Sequence, residues 1–310
     1  MKKKKIKVKW KSVIIIIMII FSITCILISL TQIIKWNSDN KNIEKQINDI
    51  DKIVEINEIT NEETVIENTP QKEEISKENP YWDYIKMNLI DVDLSKLKQK
   101  NNDTVGWIQV NGTNINYPFV QTTDNKFYLK HSFDKKYNAA GWVFLDYRNQ
   151  ITSLDKNTII YAHGRIDNTM FGSLKNILTS GWLNNTDNYV VKMSTEYGNT
   201  LWQVFSVYHI PTTNDYIRTN FKSNKNFLTF ANTLIERSQH DFNTTINEDD
   251  HILTLSTCYN DKEKVVLHAK LIKQSINKNN NSLENKTEIK PETNEILDSE
   301  IEMPNELVDN

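Results

Sequence analysis

Cysteine is nearly absent from this chain of 310 residues. The two cysteines are Cys25 and Cys258, and Cys25 lies in an apolar run near the N-terminus. A disulfide needs two thiols, so the part of the chain beyond that run cannot form an internal one. Cys258 is therefore either an inert buried thiol or a reactive one. A lone cysteine accompanied by a suitable histidine elsewhere is a candidate nucleophile, because the thiolate is strongly nucleophilic near neutral pH.

Long apolar runs are confined to one segment near the N-terminus. Residues 12–30 carry no charge, and seven lysines with no acid precede them. Nineteen helical residues span about 28 Å, roughly the hydrocarbon thickness of a bilayer. A cleaved signal peptide is the alternative, but its apolar region would be shorter and followed by a small-residue cleavage site. The positive-inside rule thus predicts a cytoplasmic basic tail at 1–11, a transmembrane anchor at 12–34 and an extracellular remainder.

Glycine and aromatic residues are missing from two acidic segments. Residues 37–80 contain neither, and 36–80 hold twelve acids against five lysines. Residues 275–310 hold nine acids against three lysines. Such compositions bury too little apolar surface to fold alone. We predict an extracellular spacer at 35–80, with a short amphipathic stalk possible at its start, and a disordered tail at 275–310.

An excess of positive charge is missing from the middle of the chain. Residues 81–274 carry a net charge of +2, which gives no electrostatic argument for a nucleic-acid partner. The sequence also shows no cluster of His, Cys and carboxylates at metal-ligand spacing, so neither a metal nor another cofactor is implied.

The middle of the chain has the pattern of a single, mainly β domain. Short runs rich in β-branched and aromatic residues recur between turn signals, which indicates the buried strands of a barrel or sandwich. The predicted strands are Trp107–Val110, Trp142–Asp146, Thr158–Ala162, Tyr189–Lys192, Leu201–His209, His251–Ser256 and Lys264–Lys273. Helical patterns cover Leu94–Lys100, Met170–Ile177 and Asn226–Glu236. The remaining 81–274 segment is long enough for one well-buried core.

A histidine and the lone extracellular cysteine each lie where a predicted strand ends. His163 follows the strand at 158–161 and opens into a glycine-containing loop, whereas the other five histidines lack such a context. Cys258 ends the strand at 252–255 and enters a polar loop. If both strand ends meet at one rim of a barrel, the imidazole can exchange a proton with the thiol and then protonate a leaving amine.

Five ordered motifs between residues 82 and 273 resemble the sortases, the membrane-anchored cysteine transpeptidases of Gram-positive bacteria, and more closely class B. The motifs are Asp103–Trp107 with Asn111–Thr113 and Tyr117-Pro118, then Phe144–Asn149, His163 with Asp167–Phe171, Asp215–Thr219, and Thr254–Cys258. The resemblance implies an eight-stranded β-barrel with an N-terminal helix and peripheral helices. The long segment Ile210–Arg237 fits the class B insertion.

The resemblance also implies roles for particular residues. Cys258 matches the nucleophile and His163 the general acid/base, which would act on exported proteins bearing a C-terminal sorting signal. A lipid-linked peptidoglycan precursor amine, or a pilin lysine, would then resolve the thioacyl enzyme. The residues that match the class B peptide groove are Asn125, Leu129, Thr212, Tyr216, Ile217 and Ser256. For Leu129, Tyr216 and Ile217 a packing role is the alternative.

The chain departs from the family at one position. Where sortases carry an arginine before the last strand, this sequence has Lys264, and the whole chain has only four arginines. Catalysis of acyl transfer needs a donor or cation where the carbonyl oxygen becomes negative, and lysine supplies the charge without the planar fork of arginine. Lys264 is therefore predicted to be the catalytic cation, the alternative being a solvated strand-edge residue.

Three functions follow from these observations. The leading one is a cysteine transpeptidase that joins exported proteins to a cell-wall precursor. A pilin-polymerising enzyme differs from it in the acceptor alone. A catalytically silent surface scaffold is the third, with Lys264 as a sign of decay, and the intact pair His163 and Cys258 argues against it.

Overall fold

The computed structural model describes residues 9–59, 65–67, 79–260 and 262–276, and for residues 65–67, 258–260 and 276 it describes the backbone alone. The predicted tail at 275–310 lies almost wholly outside these residues, as does most of the basic segment 1–11. Two units are described separately, the segment up to Gln46 and the unit that begins at Ile47.

The first unit is helical. Helix α1 spans Trp10–Asp51 and includes the whole segment 12–34 that the sequence predicts as an anchor. Its isoleucines and leucines between residues 14 and 34 are exposed. Among the described residues it is the one helix long and apolar enough to cross a membrane. The helix also continues through the start of the acidic segment, where Ile43, Ile47 and Ile50 recur at helical spacing.

The second unit is built mainly from strands. The strands are β1 (Ile56–Ile59), β2 (Val65–Glu67), β3 (Leu89–Val92), β4 (Thr104–Val110), β5 (Asn116–Val120), β6 (Phe144–Leu145), β7 (Asn157–Tyr161), β8 (Val190–Thr195), β9 (Gly198–Pro211), β10 (Ile252–Asn260) and β11 (Glu263–Ile276). The α-helices are α2 (Tyr81–Tyr84), α3 (Ser95–Lys100), α4 (Ser180–Leu183) and α5 (Asn224–Arg237). Short 3-10 helices cover Phe127–Leu129, Gly172–Leu178 and Thr186–Asn188.

Eight of these strands close into a barrel. Their order is β10-β7-β6-β5-β4-β8-β9-β11, and the pairing of β10 with β11 completes the ring. Pairs β5–β6 and β7–β10 are parallel, and the other barrel pairs are antiparallel. This confirms the predicted mainly β fold with an eight-stranded barrel and peripheral helices.

The structure contains strands that the sequence patterns did not predict. Strand β5 includes Pro118, and because proline lacks an N–H for the ladder, a local pattern does not predict a strand there. The carbonyl of Pro118 accepts a hydrogen bond from Trp142 Nε1 at 2.9 Å. Within the predicted spacer, β1 pairs with β3 and β2 pairs with β11. Partners far away in sequence form these pairs, and a local pattern does not reveal them. The domain boundaries 35–80 and 81–274 stay predictions.

The two faces of β10 and β11 differ in character. Leu253, Leu255, Val265 and Leu267 are fully buried and alternate with Thr254, Ser256, Val266 and His268. The second face is also buried, because the connection between β9 and β10 packs over it. Ser206 Oγ on β9 donates to the carbonyl of Leu234 in α5 at 2.6 Å, which fixes that connection to the barrel wall.

Candidate active site

The parallel pairing of β7 and β10 brings the histidine and the cysteine to one place. Ser256 lies opposite Tyr161 in the last pair of this ladder. Cys258 comes two residues after Ser256, and His163 comes two residues after Tyr161. Thr257 Oγ1 donates to the carbonyl of Ala162 at 2.8 Å, one residue before each of them. Because neighbouring strands lie about 4.8 Å apart, the backbone places positions 163 and 258 side by side at one rim of the barrel.

Strand β11 adds the lysine to the same row. In the antiparallel pairing of β10 with β11, Cys258 lies opposite Lys264. On its other side, Lys264 is opposite Ile210 of β9, so β11 is an interior strand here. Lys264 is 2% exposed. The expectation of a solvated strand-edge residue therefore does not describe this lysine, since strands flank it on both sides.

A hydrogen bond to a main-chain carbonyl orients His163. The side chain is 3% exposed, and its Nε2 lies 2.7 Å from the carbonyl oxygen of Leu129. A carbonyl oxygen only accepts hydrogen bonds, so Nε2 carries a proton in this arrangement. Nδ1 is then the ring nitrogen that does not carry this proton. Leu129, predicted as a substrate contact, thus contributes its backbone to the histidine.

Asp167 shapes the loop that follows His163. Its carboxylate accepts hydrogen bonds from Arg165 Nη2 at 2.9 Å, from the amide of Thr169 at 3.0 Å and from Thr169 Oγ1 at 2.6 Å. Burial by itself raises the pKa of Asp167, but these hydrogen bonds and the charge of Arg165 outweigh it and lower the pKa. The loop returns on itself, because the amide of Phe171 donates to the carbonyl of His163 at 3.0 Å.

The residues predicted to bind substrate divide into buried and accessible ones. Tyr216 is fully buried, and its hydroxyl lies 2.8 Å from Ser256 Oγ, which is buried as well. Ile217 and Leu129 are also buried. Asn125 is half-buried, and Thr212 is exposed. The structure therefore places two of the six where a bound peptide reaches them without rearrangement.

The structure contains a buried ion pair beside the site that the sequence patterns do not predict. The carboxylate of Asp146 is fully buried and accepts hydrogen bonds from Arg148 Nε and Nη2, at 2.9 and 2.7 Å. It also accepts from Tyr161 Oη at 2.9 Å and from Asn125 Nδ2 at 3.1 Å. Burial, with the charge of Asp146 adding to it, raises the pKa of Tyr161, which keeps the phenol a donor.

The ion pair reaches the connection that covers β10. Arg148 Nη2 donates to the carbonyl of Ile217 at 3.0 Å, next to Tyr216. Burial alone lowers the pKa of Arg148, but the hydrogen bonds and charge of Asp146 outweigh it and raise the pKa. Asp146 and Arg148 stand in the Phe144–Asn149 motif, and that motif is the only sequence signal that pointed to them.

A second buried network lies behind Ser256. His268 is fully buried, with Nε2 2.8 Å from Tyr208 Oη and Nδ1 2.9 Å from Thr254 Oγ1. Thr254 Oγ1 in turn lies 2.7 Å from Asn157 Oδ1. Burial and the positive charge of Arg237 lower the pKa of His268 to about 3. Within the described part of the chain, no three His, Cys, Asp or Glu side chains converge as metal ligands.

Comparison with known proteins gives one consistent answer. The family model described as "Sortase domain" matches residues 108–272. Sortase B of Staphylococcus aureus is 36% identical over 183 residues, covering 58% of this chain and 74% of that protein. Sortase B of Listeria monocytogenes is 36% identical over 186 residues, again covering 58% of this chain and 74% of that protein.

Solved structures agree with these relatives. A Bacillus anthracis protein described as similar to sortase B is 40% identical, with a TM-score of 0.54, over 58% of this chain and 82% of that one. A complex of Staphylococcus aureus sortase B with substrate is 34% identical, with a TM-score of 0.55, over 58% and 84%. A sortase B complexed with triglycine has the same identity and TM-score, over 58% and 85%.

Proposed function

Because the chain belongs to the sortase family and is a cysteine transpeptidase, we propose that it cleaves a C-terminal sorting signal of exported proteins and joins them to a cell-wall precursor amine. The observation that carries this proposal is that His163, two residues after the end of β7, lies beside Cys258 on β10, and Cys258 lies opposite Lys264 on β11. The family assignment agrees with the resemblance read from the sequence.

In the proposed first half-reaction, the thiolate of Cys258 attacks the carbonyl carbon of a threonine in the sorting signal. The tetrahedral intermediate collapses as the carbon–nitrogen bond breaks, and protonated His163 gives its proton to the leaving amine. The product is a thioester on Cys258. In the second half-reaction the acceptor amine attacks this thioester, neutral His163 takes the amine's proton, and the carbon–sulfur bond breaks to restore the thiolate.

Lys264 is proposed to stabilise the oxyanion of both tetrahedral intermediates. Its burial and its position across from Cys258 support this role, since a cation in a water-poor site acts more strongly than one in solvent. An ammonium is more strongly hydrated than a guanidinium and lacks its fixed fork of donors. We therefore expect that the enzyme works with lysine at position 264, and that an arginine there would keep or raise its rate.

The substrate groove is proposed to run past Asn125, Leu129, Thr212, Tyr216, Ile217 and Ser256. Asn125 and Thr212 are the accessible members. Side-chain contact with Tyr216 or Ser256 requires the connection over β10 to shift, because both residues are fully buried. The substrate and triglycine complexes of sortase B support a peptide donor and an amine acceptor in general terms.

The proposed location is the cell membrane. Helix α1 is proposed to be a single-pass anchor, with the lysine-rich N-terminus in the cytoplasm and the barrel outside. This arrangement places the barrel where exported proteins and lipid-linked precursors meet.

A mass-spectrometric search for the thioacyl adduct tests the proposal. The full chain in detergent is incubated with a panel of sorting peptides, and the adduct is located by peptide mapping. We expect it on Cys258, lost in Cys258→Ala and retained in the matched variant Cys25→Ala. His163→Ala should slow turnover by about 10²–10⁴-fold. Adduct formation or turnover in Cys258→Ala would overturn the assignment of the nucleophile.

The role of Lys264 has its own pair of variants. Lys264→Ala should reduce peptide turnover at least tenfold, since loss of one oxyanion donor typically costs about 10²–10³-fold. Lys264→Arg should restore or raise the rate. Lys262→Ala, at an exposed lysine two residues earlier, serves as the control and should leave the rate within about twofold. A wild-type rate in Lys264→Ala would remove this residue from the mechanism.

A further inference from the structure

A glycine with left-handed backbone lies against the ring of His163. Gly141 has φ +59°, a conformation that glycine adopts without strain. A Cβ at this position would lie 2.9 Å from His163 Cδ2 and 2.9 Å from the carbonyl oxygen of Leu129, and it would overlap the carbonyl oxygen of Tyr128. The imidazole of His163 and the Leu129 carbonyl to which it is hydrogen-bonded are thus packed directly against Gly141, where there is no room for a side chain.

The main chain around Gly141 is fixed by its own hydrogen bonds. The carbonyl of Tyr128 accepts from the amide of Trp142 at 2.9 Å, and the amide of Gly141 donates to the carbonyl of Asn138 at 3.0 Å. Asn138 is fully buried, and its Oδ1 accepts from the amide of Ala140 at 2.9 Å. An added side chain at 141 would therefore have to displace the main-chain carbonyls of Tyr128 and Leu129 as well as the ring of His163, and so would disturb the hydrogen bond between them.

We propose that Gly141 is a positioning residue for the reaction: its missing side chain lets Nε2–H of His163 reach the carbonyl of Leu129, which fixes the orientation of the ring and leaves Nδ1 as the nitrogen that exchanges the proton. The inference rests on the proposed role of His163 as acid/base. It assigns to Leu129 a main-chain function, and to the loop 138–142 a part in catalysis that the side chains of the loop do not reveal.

The proposal predicts a specific kinetic defect in Gly141→Ala. Displacement of a reacting group by about 1 Å can cost on the order of 10²-fold in rate. We expect kcat for peptide cleavage by the full chain in detergent to fall about 30- to 100-fold, with KM changed less than about threefold. Substrate binding is preserved because position 141 meets the histidine and main-chain carbonyls, not the side chains of the proposed groove.

Gly112→Ala is the matched control. Gly112 lies in the turn between β4 and β5 and also has positive φ, +69°. A Cβ there would overlap the side-chain amide of Asn188. Both variants place a non-glycine residue at positive φ and add a clash, with a side chain at 112 and mainly with main-chain carbonyls at 141, so both should lower the unfolding temperature. Measured below those temperatures, Gly112→Ala should keep kcat within about twofold, since surface-turn changes that leave the fold intact spare the site. An unchanged kcat in folded Gly141→Ala would overturn the proposal.

A second measurement does not depend on the folding of a glycine variant or on turnover. In the Cys258→Ala protein labelled with ¹⁵N-histidine, the His163 signals at alkaline pH, assigned by their loss in His163→Ala, report which nitrogen carries the proton. We expect the Nε2–H tautomer; the Nδ1–H tautomer would refute the inference. If His163→Ala retained full activity, the proposed function of His163 would fail instead, whatever tautomer is found.

Discussion

Protonation of His268 should destabilise the folded protein at mildly acidic pH. This side chain is fully buried between Tyr208 and Thr254, with hydrogen bonds of 2.8 and 2.9 Å, and the rings of Phe205 and Tyr216 face it. Burial and the charge of Arg237 lower its pKa to about 3 from an ordinary 6.5. The unfolded chain therefore binds a proton that the folded chain excludes, at every pH between these two values.

The size of the effect follows from the two pKa values. A depressed pKa means that the stability is fully present above about pH 6.5 and is lost progressively as the pH falls toward 3. At pH 5.0 the solution lies about 1.5 units below the unfolded pKa, and each unit corresponds to about 1.4 kcal/mol. The expected loss from this residue is thus about 2 kcal/mol between pH 7.5 and pH 5.0. This loss hardly depends on the pKa of His268 in the folded protein, provided that this pKa is well below 5.

Urea titrations followed by tryptophan fluorescence measure this loss. His268→Gln keeps a polar side chain but does not titrate, so its free energy of unfolding should fall by about 2 kcal/mol less than that of the wild type over the same pH interval. Contributions from other groups cancel in the comparison. His209→Gln, at an exposed histidine of β9, should behave like the wild type. Equal losses in His268→Gln and the wild type would show that His268 is not excluded from protonation in the fold.

Three further results are expected. Arg148→Ala should lower the free energy of unfolding by about 3 kcal/mol in urea titrations, because it leaves the buried Asp146 carboxylate without its charged partner. Arg148→Lys should recover only part of this loss. A loss below about 1 kcal/mol in Arg148→Ala would contradict the reasoning. Protease added to intact protoplasts should digest the barrel, and full protection would reverse the predicted orientation. Truncation after Ile276, where β11 ends, should leave peptide turnover within about twofold, as expected for a tail of disorder-like composition. A large loss would mean that the tail docks on the barrel.

The sequence predicted the strands that carry the site better than it predicted the surroundings of the site. The local patterns and the surrounding motifs single out His163 and Cys258 as candidates, and the structure brings their backbone positions together, with Cys258 inside β10 and not at its end. The runs at 158–162 and 251–256, rich in β-branched and apolar residues, predict β7 and β10, although β10 extends through to Asn260. The local pattern does not predict β5 because of its proline, and the helical pattern at Met170–Ile177 corresponds to the 3-10 helix Gly172–Leu178. Local patterns record burial and periodicity, not which strands pair.

The amino-acid sequence by itself determined the apolar segment near the N-terminus, the β character of the middle, the single thiol outside that apolar segment and the lysine in place of arginine. Only the tertiary structure decided that Lys264 is buried across from Cys258, that the backbone of Leu129 holds His163, and that Asp146 with Arg148 braces the connection over β10. The physical reason is that composition and periodicity act along the chain. Strand register, burial and hydrogen-bond partners depend instead on residues that lie far apart in sequence and meet only when the barrel closes.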